Sequence, residues 1–128
     1  DINELAQLTH LDLSNNQIRE ALPEELLQLT ELTYLDLSNN PDITVLPLGL
    51  GKALGTNLEE FRIDGCGLQV LTTGALESMG KLRHLSASNN TPGIVSVAEA
   101  ISSCRELRTL HLAGNEIIDM PDGLKQVT

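Results

Sequence analysis

The chain repeats itself. The stretch Leu8-Thr9-His10-Leu11-Asp12-Leu13-Ser14-Asn15-Asn16 returns as Leu32-Thr33-Tyr34-Leu35-Asp36-Leu37-Ser38-Asn39-Asn40. Weaker copies begin at Leu58, Leu82 and Leu107, so the starts lie 24, 26, 24 and 25 residues apart. A unit that short cannot bury an apolar face alone. Neighbouring units must therefore stack, and the chain must become a coil of similar turns.

The spacing inside each unit says what the turns are made of. Alternation places Leu11 with Leu13, and Leu110 with Leu112, on one face of a short strand. Near-complete burial is expected for Leu13, Leu37, Ile63 and Leu112, and Phe61 is a core residue. The ninth position holds Asn16, Asn40, Asn90 and Asn115, each expected to turn inward and satisfy backbone groups of neighbouring turns. Cys66 stands there in the third copy and supplies only a weak donor. Ile18, Ile43, Leu68, Ile94 and Ile117 follow the turn. The offset varies because Pro41-Asp42 and Thr91-Pro92-Gly93 insert residues in copies two and four.

The pattern L-x-x-L-x-L-x-x-N resembles that of leucine-rich repeats, from one end of the chain to the other. The resemblance implies an α/β solenoid over residues 1–128, a single domain. That fold is a right-handed superhelix with a curved parallel sheet on its concave side. Short helices and irregular segments form its convex side. Such repeats usually serve protein recognition, so the resemblance also implies a binding module and no enzyme.

Composition agrees and excludes other classes. Leucine accounts for 25 of the 128 residues, tryptophan is absent, and Phe and Tyr occur once each. With 18 acids against 8 Lys plus Arg, the net charge is -10. That excess disfavours nucleic acid, which needs a basic stripe, and an anionic membrane. No apolar run approaches the roughly 20 residues of a membrane span. No charged-then-apolar start resembles a signal peptide.

The return path is legible too. Leu22-Pro23, Leu46-Pro47 and Met120-Pro121 place a proline at the first turn of a short helix, where its missing N–H costs little. Glu24 and Glu25 then sit where a helix dipole favours acids. Ser96-Val97-Ala98-Glu99 has the form of a capping box. With Val97, Ile101 and Cys104 in helical spacing, copy four is expected to carry a true helix. Leu5, Leu29, Gly55, Met79 and Cys104 precede each copy by three residues and mark a core position. Gly49–Gly55 hints at a phosphate loop but lacks the Ser or Thr after Lys52, and Leu46 stands where the first glycine belongs. It reads as a flexible, irregular convex segment.

Cys66 and Cys104 fall at inward positions of different layers. A disulfide needs Cα atoms within about 7 Å, so two buried thiols are expected. Reduced thiols favour an intracellular, cytoplasmic setting, and an extracellular one stays open. Asn89-Asn90-Thr91 is a counter-signal, a glycosylation sequon weakened by Pro92. Residues 1–7 read as the tail of a preceding convex segment, and 123–128 stop inside a return path. A segment of a longer protein is therefore expected.

Candidate site residues emerge from the strand positions that point to solvent. One row is His10, Tyr34, Glu60, His84 and Thr109, and the next is Asp12, Asp36, Arg62, Ser86 and His111. A third is Thr9, Thr33, Glu59, Arg83 and Arg108. Every histidine and the only tyrosine fall in these rows, and a surface that collects Tyr, His and Arg suits binding. The partner-binding set is thus His10, Asp12, Tyr34, Asp36, Glu60, Arg62, Arg83, His84, Arg108 and His111. Asp12 and Asp36 are expected side by side, with Arg62 pairing to Asp36. They form either a hydrated ladder or a docking spot for a partner's Lys or Arg.

Charge is graded along the chain. Residues 1–64 hold 12 acids and 3 bases, residues 65–128 hold 6 and 5. Much of the N-terminal acid (Glu20, Glu24, Glu25, Glu31) reads as a solvated convex face. An open sheet gives carboxylates little desolvation for acid–base work. His84 and His111 without a third ligand make a poor metal set, and no nucleophile–base spacing appears. No cofactor is implied. The expected partner is a protein or peptide on the concave face. The alternative is a regulatory or structural segment of a larger protein whose activity lies elsewhere.

Overall fold

The computed structural model describes residues 5–19, 22–97 and 99–119. Five three-residue strands form its spine: β1 His10–Asp12, β2 Tyr34–Asp36, β3 Glu60–Arg62, β4 His84–Ser86 and β5 Thr109–His111. They pair in parallel, in the order β1-β2-β3-β4-β5. Parallel neighbours joined in chain order require each connection to return to the same end of the sheet, giving a solenoid of stacked turns. The strands begin two residues later than the repeat starts. The backbone ladder itself opens one residue earlier, with Thr33 N donating to Thr9 O at 2.7 Å and Glu59 N to Thr33 O at 2.8 Å.

Short strands follow from a turn that every unit repeats. The eighth position carries Asn15, Asn39, Gly65, Asn89 and Gly114, all at positive φ between 57° and 71°. Only asparagine and glycine enter that region readily, so the chain must leave the sheet there. The ninth residue then swings inward as expected. Asn40 Nδ2 donates to Leu37 O at 2.8 Å and to Leu13 O of the preceding turn at 3.1 Å, while its Oδ1 accepts from Ile18 N at 3.3 Å. Asn90 and Asn115 repeat this bridge one layer on. Asn16 bonds only within its own turn and is exposed. Cys66 offers its thiol to Leu37 O at 3.4 Å, the weak donor foreseen.

The core is one continuous column that includes Leu35, Leu37, Phe61, Ile63, Leu85 and Leu110. Two expectations fail at its first layer. Leu13 is half-buried and Leu5 is 46% exposed, because among the described residues no earlier turn packs on them. Leu37 and Ile63 are fully buried and Leu112 nearly so.

The convex side departs from the sequence reading in two places. The segment expected to be irregular is an α-helix, α1 Leu50–Leu54, with Leu50 and Leu54 buried. Its glycines are there for contact. A Cβ on Gly51 would lie 2.2 Å from Glu77 O, and one on Gly55 2.6 Å from Ser78 O. Both backbones lie at the end of the next convex helix, α2 Thr73–Leu76. Close approach of two main chains outweighs the roughly 1 kcal/mol that glycine costs in a helix.

Copy four, expected to hold a true helix, instead has a 3-10 helix at Ala100–Ser103 without a side-chain cap. Ser96 does not cap it. Its hydroxyl donates to Asp119 Oδ2 at 2.6 Å, and Val97 N donates to Asp119 Oδ1 at 3.0 Å. A carboxylate from the next turn has displaced the capping box. Val97, Ile101 and Cys104 are nonetheless buried. Copy one has a 3-10 helix at Glu24–Gln28, with Pro23 at its N-cap and Glu24 and Glu25 in its first turn. Glu20, Ala98, Met120-Pro121, residues 1–4 and residues 123–128 lie outside the described residues.

Both cysteines are free and buried. Burial pushes the Cys66 thiol up and raises Cys104 to about 11. A thiol raised on folding stabilises the native state below its unfolded pKa and loses that contribution as pH climbs to the folded one. Stability is therefore expected to fall between about pH 9 and 11, by about 2–3 kcal/mol from Cys104 at 1.36 kcal/mol per unit. In thiol titration at pH 8 the native protein should react slowly and the unfolded protein release two groups. Fast native labelling would contradict the burial.

Candidate functional site

The parallel register carries the two outward rows onto one surface. His10 stands beside Tyr34, Tyr34 beside Glu60, Glu60 beside His84, and His84 beside Thr109. The second row runs Asp12, Asp36, Arg62, Ser86, His111. Neighbours in a row are separated by roughly 4.8 Å, the strand spacing. A parallel sheet is usually covered on both faces. Here the face opposite the core presents these side chains instead.

Its N-terminal half is aromatic and acidic. The rings of His10 and Tyr34 stack in parallel planes, 3.9 Å between centroids. The Tyr34 hydroxyl donates to Asp36 Oδ2 at 3.3 Å. Partial burial and the Asp36 charge raise the Tyr34 pKa, so the phenol keeps its proton and its role as donor. Asp12 and Asp36 face each other across β1 and β2, and each has a structural task as well. Asp12 Oδ1 accepts from Ser14 N and Asp36 Oδ1 from Ser38 N, both at 2.9 Å. These bonds close the turn after the strand. The bonds from Ser14 also hold the Asp12 carboxyl below its ordinary range.

Arg62 does not pair with Asp36. Its Nε donates to Glu60, two residues back on the same strand and face. Glu60 needs no reach across the strand gap, and Asp36 is already engaged by Ser38 and Tyr34. The bond from Glu60 raises the Arg62 pKa, so this pair is charged and mutually neutralised. Asp12 and Asp36 have no ion-pair partner among the described residues.

Toward the C-terminal half the face sinks into a hollow of about 170 Å³ over the buried Leu85. Glu60 and Arg62 line it from β3, His84 and Ser86 from β4, Thr109 and His111 from β5. Arg83 lies apart. It lines a separate hollow with Glu59, Lys81 and Glu106 at the lip where the strands begin. Its Nη1 is 3.6 Å from Glu59 Oε1. Arg108, exposed, follows it in the backbone ladder, donating from N to Arg83 O. The ten expected site residues thus divide into eight on the concave face and two on its lip.

One surface escaped the sequence reading. Val45, Val70, Val95 and Ile118 are exposed, each one or two residues after the apolar anchor that follows the turn. Val95 N donates to Gln69 O and Ile118 N to Val95 O, so this flank has its own ladder. The recurrence of a β-branched residue shortly after each anchor was the available signal. Among the described residues no group of His, Cys, Asp and Glu is disposed to hold a metal. No described helix is long and apolar enough to cross a membrane.

Comparison with known proteins places this geometry. A family model described as leucine-rich repeats in two copies matches residues 6–50. A solved leucine-rich-repeat protein of Leptospira interrogans superposes with TM-score 0.83 at 32% identity over 98% of this chain. The chain is a leucine-rich-repeat protein. The leucine-rich-repeat ectodomain of the receptor kinase SOBIR1 from Arabidopsis thaliana also matches, with TM-score 0.72 and 29% identity over 91% of the chain. The chain spans 30% of the length of the first of these and 61% of the second. Leucine-rich-repeat proteins are in general protein-interaction modules and typically non-catalytic.

Proposed function

We propose that this leucine-rich-repeat array binds a protein or peptide on its concave face and is not an enzyme. The observation that carries the reading is the uncovered pair of rows, in which the stacked His10–Tyr34 platform adjoins two uncompensated carboxylates. A flat aromatic with a polar tip provides contact area at low entropic cost. Asp12 and Asp36 then offer a docking point for a partner's Lys or Arg. The exposed valine row favours a second reading, in which the partner lies along the flank. The alternative of a regulatory or structural segment within a larger protein is compatible with either surface. The two buried thiols support an intracellular setting, while the likeness to a receptor ectodomain supports an extracellular one.

The test is an alanine pair. In calorimetry with a peptide selected on the native array, Tyr34→Ala or Arg62→Ala should weaken binding by more than about 1 kcal/mol. Thermal stability should stay nearly unchanged. Charge reversal at Glu24 and Glu25, on the convex side, should do far less. An interface that leaves Tyr34 exposed and covers Val70 and Val95 would transfer the function to the flank.

A further inference from the structure

We infer that the hollow between β3 and β5 is the subsite for a carboxylate of the bound chain. The inference rests on the concave-face reading and adds the chemistry of one contact. A volume of about 170 Å³ is the share of five or six waters at about 30 Å³ each, enough for a short acidic side chain or a chain terminus. The walls are set by the register, which puts His84 opposite Thr109 and Ser86 opposite His111. Imidazoles on neighbouring strands thus flank one opening.

The donor balance selects the occupant. The one carboxylate lining the hollow, Glu60, is taken up by Arg62 Nε. A guanidinium has five N–H donors, so most of Arg62 is uncommitted. Ser86 Oγ donates to Asp64 Oδ1 at 2.7 Å, and Asp64 also accepts from Ser88 N at 2.7 Å. That second carboxylate is thereby occupied from behind the wall. Arg62, His84, His111 and the Thr109 hydroxyl remain, and all can donate. Arg83 and Arg108 on the adjoining lip add positive charge, offset at Arg83 by Glu59. Asp36, next to Arg62 in its row, is held by Tyr34 and Ser38.

Arg62 and Glu60 cancel within the hollow, and its other polar walls present donors. A cationic side chain finds no free acceptor there and is steered to Asp12 and Asp36.

Three extended pentapeptides with blocked termini, identical except for a central Glu, Gln or Lys, distinguish the outcomes. Each is titrated into the isotopically labelled array, and amide and imidazole resonances are followed. The Glu peptide should shift Leu85, Ser86 and the rings of His84 and His111, and bind at least about tenfold more tightly than the Gln peptide, the effect of 1.4 kcal/mol. In the double variant His84→Ala, His111→Ala that preference should shrink. Both side chains are exposed, so the parent melting temperature should be kept. Equal binding of the Glu and Gln peptides, a preference unchanged in the double variant, or no shift at the hollow would each overturn the inference. If the Lys peptide then still shifts Tyr34, Asp12 and Asp36, the concave-face reading survives alone. Shifts confined to Val70 and Val95 would remove both.

Discussion

Asn40→Ala is expected to cost about 1–3 kcal/mol, the usual cost of a buried polar group left without its partner, because Ile18 N loses its acceptor and Leu37 O and Leu13 O keep only Cys66 and Asn16. The Asn40 amide is fully buried and serves Leu37 O, Leu13 O and Ile18 N. Alanine removes a partner from each and adds none. Water cannot replace it at Leu37 O without opening the layer. Asn16 is the internal control: the same residue at the same repeat position, but exposed and bonded only within its own turn. Asn16→Ala should change stability by less than about 1 kcal/mol, because water replaces its bonds. Urea denaturation of the two variants measures the difference. Equal losses would show that the amide acts within its turn and not between turns.

Leu37→Ala tests the packing of the same layer. The side chain is fully buried between the first and third turns, and deletion of a leucine from such a site costs about 2–5 kcal/mol. The upper part of the range is expected. The strands on either side are fixed by ladder bonds such as Leu37 N to Arg62 O and Leu13 N to Asp36 O, so the cavity cannot collapse. Leu13→Ala, at the half-buried open end, should cost distinctly less. A loss at Leu37 below about half a kcal/mol, against the usual range for core leucines, would mean the layer is not a packed core.

The contrast between these pairs also explains what could be read from the amino acids. The period, the strand positions, the inward Asn40, Asn90 and Asn115 and the buried Phe61 were legible because each rests on a spacing that stacking enforces, whereas Asn16, at the open end, bridges no neighbouring turn. Burial of Leu13 and Leu5 was not. Their spacing matches the other copies, and only their place in the stack differs. Helix α1 was missed because glycines at 51 and 55 read as flexibility, whereas the neighbouring helix makes them contact surfaces. The capping box failed through competition from Asp119, a residue two dozen positions away that no local pattern reveals. On the concave face the membership of the rows was legible and the pairing was not. Arg62 chose Glu60 over Asp36 because Asp36 was already committed to its own turn.

The substitution of a thiol for an amide at Cys66 sets where the array comes apart. In a linear array, stability is the sum of what each unit contributes and how strongly it is coupled to its nearest neighbour. Asn40, Asn90 and Asn115 each add a two-way clasp to the unit before. In place of that clasp Cys66 gives its junction a single weak donor, beside the bonds Asp64 N to Ser38 Oγ and Gly67 N to Ile43 O and the α1–α2 contact, and Ile43 N turns back to Asn40 O of its own unit. Units one and two are therefore expected to open together as one cooperative block, ahead of units three to five. Native-state hydrogen exchange should show two sets of opening energies divided between β2 and β3, and Cys66→Asn should draw them together. A single common value in the parent would show the junction to be as strong as the rest. The proposed binding face, which spans this boundary, then has two halves able to move apart, with the Tyr34 platform on one and the histidine hollow on the other.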